Sequence, residues 1–129
     1  MTSSRSSDKI KQVVVVRRDT SPPMKMGKAI AQSVHGAQMF LIDKIKSGKK
    51  FNSLEEEWLS FGKAVIAVRV DSEKEFFEIF QQAKKAGLEV NMITDSGLTE
   101  FKEPTKTCLA IGPDRSSKID PITGHLKLL

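Results

Sequence analysis

Three polar side chains recur at helical spacing near the start of the chain. Lys28, Gln32 and His35 stand at i, i+4 and i+7, so a helix would carry all three on one face. Farther on, Asp95 and Thr99 bracket Ser96-Gly97-Leu98 after a short apolar run, and Gly97 permits a tight reversal across which the two side chains could meet. Thr107 lies on the next apolar run. An ammonium, a carboxylate and hydroxyls can align a water and stabilise charge that develops during its attack. By residue type alone, a solvated helix face is the favoured account of the first three, and an Asx-turn closed by a threonine that of the next two.

Other chemistries find no support. His35 and His125 are the only histidines and Cys108 the only cysteine, and nothing approaches a Cys2His2 set or a His-Glu-x-x-His zinc pair. There is no Gly-x-x-x-x-Gly-Lys-Ser/Thr phosphate loop and no Gly-x-Ser-x-Gly elbow, and Gly27-Lys28 alone does not make a nucleotide site. No metal and no cofactor is expected. Without a Ser-His-Asp or Cys-His nucleophile, direct attack by a positioned water is the simplest hydrolytic route.

The elements that must position these residues follow from periodicity. Gln12 to Arg17 and Ala64 to Val70 are β-branched runs of the kind found in strands buried on both faces, and both are expected at the centre of a sheet. From Gly27 to Ser47, the residues Ile30, Val34, Ala37, Leu41 and Ile45 recur at helical spacing, which predicts a helix with this stripe inward and Gly48 as its stop. Ser53-Leu54-Glu55-Glu56 reads as a capping-box start for a short helix through Trp58. Ser72 caps a further helix with an inward stripe of Phe76, Ile79, Phe80 and Ala83, ended by Gly87.

Val90 to Thr94 and Lys106 to Ile111 are two more short strands, the second broken by Gly112-Pro113, with a helical turn near Asp114 to Lys118. The segment between them is too short for a parallel crossover, so that pair is expected to be antiparallel and the sheet mixed.

At 129 residues the chain is long enough for one domain that buries roughly two thirds of its unfolded surface without disulfides or a structural metal. Cys108 sits in an apolar run and reads as a small buried hydrophobe, which fits a reducing cytoplasm. The first eleven residues are polar and are expected to form a disordered tail. The run Val13 to Val16 is far too short for a signal-peptide core or a membrane span. Charge is uneven. Residues 1 to 50 hold 11 Lys and Arg against 3 Asp and Glu, whereas residues 51 to 129 hold 10 against 13. A basic half of this kind suits a polyanion, although ordinary solubility charge explains it as well.

Taken in order, Gln12 to Asp19, Gly27-Lys28 with Ala31-Gln32 and His35-Gly36-Ala37, Asp95 to Glu100, Cys108 to Pro113 and Gly124-His125-Leu126-Lys127-Leu128-Leu129 resemble the second, archaeal and eukaryotic type of peptidyl-tRNA hydrolase. The resemblance runs from about Lys11 to Leu129. It implies a single-domain α/β fold over residues 12–129, a three-layer α/β/α sandwich with a four-stranded mixed sheet. It also implies peptidyl-tRNA as partner and substrate, and a homodimer. The activity implied is hydrolysis of the ester between a peptide, or an N-blocked amino acid, and the terminal ribose of tRNA. In that setting Lys28, Asp95 and Thr99 are the candidate catalytic residues: Asp95 accepts the water's proton or aligns it, Lys28 stabilises the oxyanion, and Thr99 orients the water or Asp95. Lys25, Gln32, His35 and Thr107 are the candidate substrate-binding residues. Leu126 and Leu128 read as packing residues and His125 as structural.

One departure from the family pattern stands at the start of the first helix. Where the family reads Gly-Lys-Gly-Lys, this chain has Lys25-Met26-Gly27-Lys28, so Met26 replaces a lysine and Lys25 is near enough to compensate. Two other function classes fit the same composition, a non-catalytic RNA-binding module and a protein-interaction domain.

Overall fold

The computed structural model describes residues 8–129. Strand β1 (Ile10–Arg17) is followed by helices α1 (Met26–Ser47) and α2 (Ser53–Ser60), strand β2 (Val65–Val70), helix α3 (Glu73–Lys85), strands β3 (Val90–Asp95) and β4 (Thr105–Arg115), and helix α4 (Ser116–Thr123). The four strands form one sheet in the order β2-β1-β4-β3, with β1 parallel to β2 and antiparallel to β4, and β3 antiparallel to β4. This is the expected mixed α/β sandwich.

The alternation of side chains along each strand divides the core in two. Val13, Val15, Leu109 and Ile111 pack with Phe76 and Ile79 of α3 and Ile119 and Ile122 of α4. Val14, Val16, Cys108 and Ala110 face the other way, against Ala29 of α1, Met24 and Phe101. Helix α2 joins this second layer, its Trp58 ring meeting Phe40 of α1 edge-on at 5.8 Å while the indole N–H donates to the Ala64 carbonyl at 2.9 Å.

Local signals hold at several ends. Gly48 closes α1 at φ 71°, and the Ser72 hydroxyl accepts from the Glu75 N–H at 3.1 Å to open α3. The capping box of α2 lies one residue earlier than expected: Asn52, not Ser53, is the cap, and it exchanges hydrogen bonds with Glu55.

Several further expectations are corrected. Of the stripe Ile30, Val34, Ala37, Leu41, Ile45, only Ala37 packs against the core; Ile30 is 54% exposed, Val34 46% and Ile45 72%. The buried side of α1 is Ala29, Gly36 and Phe40. Small residues win there because they let the helix sit close to the sheet; a Cβ on Gly36 would lie 3.4 Å from Cys108 Sγ and 3.5 Å from Ile93 Cγ1. Strand β2 lies at an edge and not at the centre, and the carboxy-terminal segment covers it, with Arg69 N–H donating to Lys127 and Leu129 N–H to Ala67. Leu126 packs on the core as expected, but Leu128 is exposed.

Strand β4 passes through Gly112-Pro113 instead of ending there. Gly112, at φ 91°, takes part in an irregularity opposite Gln12, where the register slips between Lys11 and Val13. The following helical turn is correspondingly a full helix, α4. Strand β1 begins at Ile10, two residues before the expected start, and Asp8 accepts hydrogen bonds from Ser117. The expectation of a disordered tail otherwise falls on residues 1–7, outside the described residues.

Candidate active site

Two chain segments converge at one end of the sheet. The first turn of α1 brings Lys28, and the loop that leaves β3 brings Asp95 and Thr99. Lys28 Nζ donates to Asp95 Oδ1 at 3.1 Å and to Thr99 Oγ1 at 2.5 Å. The Thr99 hydroxyl donates in turn to Asp95 Oδ2 at 3.1 Å, and the Gly97 N–H donates to the same oxygen at 2.9 Å. The Asx-turn and the meeting of Asp95 with Thr99 are therefore one arrangement. It depends on Gly97, whose φ is 86° and whose absent Cβ would lie 2.6 Å from the backbone carbon of Glu103.

Asp95 is buried. Burial is the strongest single influence on its carboxyl and pushes its pKa upward, but the Gly97 N–H, Lys28 and Thr99 together outweigh it and hold the group below the usual value of 3.8. Lys28 lies with its ammonium 4.5 Å from the centre of the buried Phe101 ring, and Glu100 Oε1 is 3.9 Å away. Sequence reasoning did not single out Glu100 and Phe101. Their only signal was position, one and two residues beyond Thr99.

The other expected residues do not all join this cluster. Gln32 turns to the sheet: Thr107 donates to its Oε1 at 2.5 Å, and the buried Cys108 thiol donates to its carbonyl at 3.1 Å. Gln32 and Thr107 thus form a second pair beside the first. His35 is exposed and its side chain forms no hydrogen bond among the described residues; Lys25 is exposed at the start of α1, where its carbonyl accepts from Ala29 N–H at 2.9 Å.

An ammonium held against a carboxylate and a hydroxyl is a hydrolytic geometry that many folds could carry. The sequence as a whole decides which one this is: the model of the family described as peptidyl-tRNA hydrolase PTH2 matches residues 10–129. The chain belongs to the peptidyl-tRNA hydrolase PTH2 family.

Individual relatives agree with this assignment. A peptidyl-tRNA hydrolase of Methanocaldococcus jannaschii is 42% identical over 121 residues, spanning 93% of this chain and 100% of that protein. One of Thermococcus onnurineus is 37% identical over 119 residues, 92% of this chain and 97% of the relative. A probable peptidyl-tRNA hydrolase 2 of Drosophila melanogaster is 40% identical over 124 residues, 95% of this chain but 63% of that longer protein. Among the described residues of this family member, no helix is long and apolar enough to cross a membrane.

Proposed function

We infer that the chain hydrolyses the ester joining a peptide, or an N-blocked amino acid, to the terminal ribose of tRNA, releasing the peptide and free tRNA. The observation that carries this reading is the Lys28, Asp95 and Thr99 cluster in a member of this family.

The hydrogen-bond inventory suggests how the three divide the work. An ammonium has three donors, and two are used on Asp95 and Thr99. The third is available to the carbonyl oxygen of the ester, where it stabilises the oxyanion of the tetrahedral intermediate. Both neighbours of Asp95 Oδ2 are fixed, so Oδ1 is the oxygen that receives a hydrogen bond from the attacking water. A carboxylate held below its usual pKa is a weak base, so alignment of the water is its larger contribution. Thr99 keeps Asp95 and Lys28 in register by accepting from one and donating to the other. Gln32, fixed by Thr107, and the exposed Lys25 and His35 line the approach of the terminal nucleotides, and the basic residues of the first 50 track phosphate.

A homodimer in the cytoplasm belongs to the same proposal. It rests on the family resemblance and on the exposed apolar row of α1, Ile30, Val34 and Ile45.

The test is incubation of the purified protein with N-acetyl-aminoacyl-tRNA and, separately, with free aminoacyl-tRNA. Loss of the ester from the first and not the second is the expected result. Binding of tRNA without ester loss would instead make the chain an RNA-binding module.

A further inference from the structure

Strand β3 ends at Asp95 and is the outermost strand on its side of the sheet. Half of its backbone groups therefore face away from β4, and the pairing identifies which. Gly112 N–H donates to the Glu89 carbonyl at 2.8 Å, and the register pairs Val90 with Ile111. Hydrogen-bonded pairs alternate in an antiparallel ladder, so Asn91 with Ala110 and Ile93 with Cys108 are the next two. The N–H and C=O of Val90 and Met92 point outward, and no backbone group meets them among the described residues. Free edges are commonly guarded by lysine, proline or an inward charge, and Val90-Asn91-Met92-Ile93-Thr94 has none of these. The opposite edge, β2, is covered by the carboxy-terminal segment.

One flank of α1 overhangs this edge. On the far flank, Ala37 faces β1, where its carbonyl accepts from Gln12 at 2.9 Å; on the near flank, Lys28 reaches Asp95 at 3.1 Å. Lys28, His35, Met39 and Ile42, spaced i, i+7, i+11 and i+14, form the row on the β3 side. His35 and Ile42 are exposed and Met39 is half-buried. Edge and row make a trough whose one end is the Lys28 and Asp95 pair.

We propose that this trough binds the peptide portion of the substrate as an added strand along β3, its backbone pairing with Val90 and Met92 and its alternate side chains lying against Met39 and Ile42. The proposal rests on the hydrolase reading. The chemistry of the substrate selects this occupant. Peptides attached to tRNA differ in sequence and share only their backbone, which is what a sheet edge recognises. An acyl carbon held beside the Lys28 and Asp95 pair also places the adjoining residues at the end of β3, so the trough continues the site. Six strand residues span about 20 Å, room for about five residues of extended peptide.

Wild-type protein and defined substrates test this. N-acetylated peptidyl-tRNAs carrying one, three, five and eight residues are compared by kcat/KM, which is expected to rise up to about five residues and then level. In the five-residue substrate, N-methylation of single amides is expected to lower kcat/KM roughly three- to tenfold at every second position and little between, as loss of one strand hydrogen bond dictates. No dependence on length, or N-methyl effects without alternation, while the one-residue substrate is still hydrolysed, would overturn the trough and leave the hydrolase reading intact. Failure to hydrolyse any of the four would sink the hydrolase reading itself. As a second measurement, Met92→Pro removes one outward N–H without removing a ladder bond, and is expected to bring the five-residue to one-residue ratio toward unity. If that variant changes the sedimentation coefficient and the ratio stays as in wild type, a second copy of the chain occupies the edge and the proposal falls.

Discussion

Replacing Lys28 by methionine separates the charge of the site from its packing. The thioether side chain keeps an apolar stem over the Phe101 ring, while the ammonium 3.1 Å from Asp95 Oδ1 and 2.5 Å from Thr99 Oγ1 is lost. For the rate, removal of one donor to a developing oxyanion lowers kcat by about 10² to 10³. For stability, Asp95 keeps Gly97 and Thr99 on Oδ2 but leaves Oδ1 without its protein partner. That costs about 1 to 3 kcal/mol, less than the ~3 to 5 kcal/mol of a buried pair broken outright, because Gly97 and Thr99 still hold the carboxylate.

The pH dependence of that loss has a definite sign. Burial pushes the Asp95 carboxyl up, and its partners, Lys28 among them, hold it below 3.8. A carboxyl depressed in the folded state contributes stability that is present above its unfolded value and lost as pH falls through the folded one. The wild type and Lys28→Met should therefore differ most at neutral pH and converge on the acid side of 3.8. Urea denaturation at pH 7 and pH 3, with single-turnover cleavage of N-acetyl-aminoacyl-tRNA at pH 7, measures both effects. Asp95→Asn in the Lys28→Met background should recover most of the stability and none of the rate. A folded Lys28→Met protein that cleaves within tenfold of wild type would refute the assignment of the oxyanion donor.

Three further outcomes are expected. Met26, 76% exposed at the start of α1, stands where the family resemblance implies a lysine, so Met26→Lys should tighten tRNA binding by about 1 kcal/mol or less and leave kcat unchanged in steady-state kinetics. Gly97→Ala places a Cβ against the Glu103 backbone at a φ of 86°, which should cost about 1 to 3 kcal/mol in thermal or urea melts and lower turnover as Thr99 is drawn from Asp95. Burial pushes the Cys108 thiol up to about 12, so iodoacetamide at pH 8 should leave the native protein unmodified over a period in which the urea-unfolded chain reacts completely.

What could be read from the sequence was what depends on near neighbours. Val13 to Val16 declared a buried strand, Ser72 and Gly48 declared helix ends, and Asp95 and Thr99 were placed to meet across Gly97, because each signal acts within a few residues. The inward face of α1 was misread because bulk marks a core face only where the partner leaves space; over β4 the sheet approaches so closely that Ala29 and Gly36 face it while Ile30 and Ile45 stay outside. The pairing of Gln32 with Thr107, 75 residues apart, depends on that same depth and had no local trace. The edge position of β2 was equally hidden, since the segment that covers it comes from the far end of the chain.

The close seat of α1 makes that helix a lever. Gly36, seated close against the sheet, and Lys28, at the candidate site, are separated by eight residues, about 12 Å of rigid rod. A bulkier side chain at the fulcrum lifts or tilts the rod and carries the ammonium away from Asp95, and a misplacement of about 1 Å costs about 10²-fold in rate. Tuning of this hydrolase can therefore proceed through residues that never meet the substrate. Substitutions in the floor beneath α1, at Ile93, Cys108 or Ala110, would shift Lys28 relative to Asp95 without touching either residue.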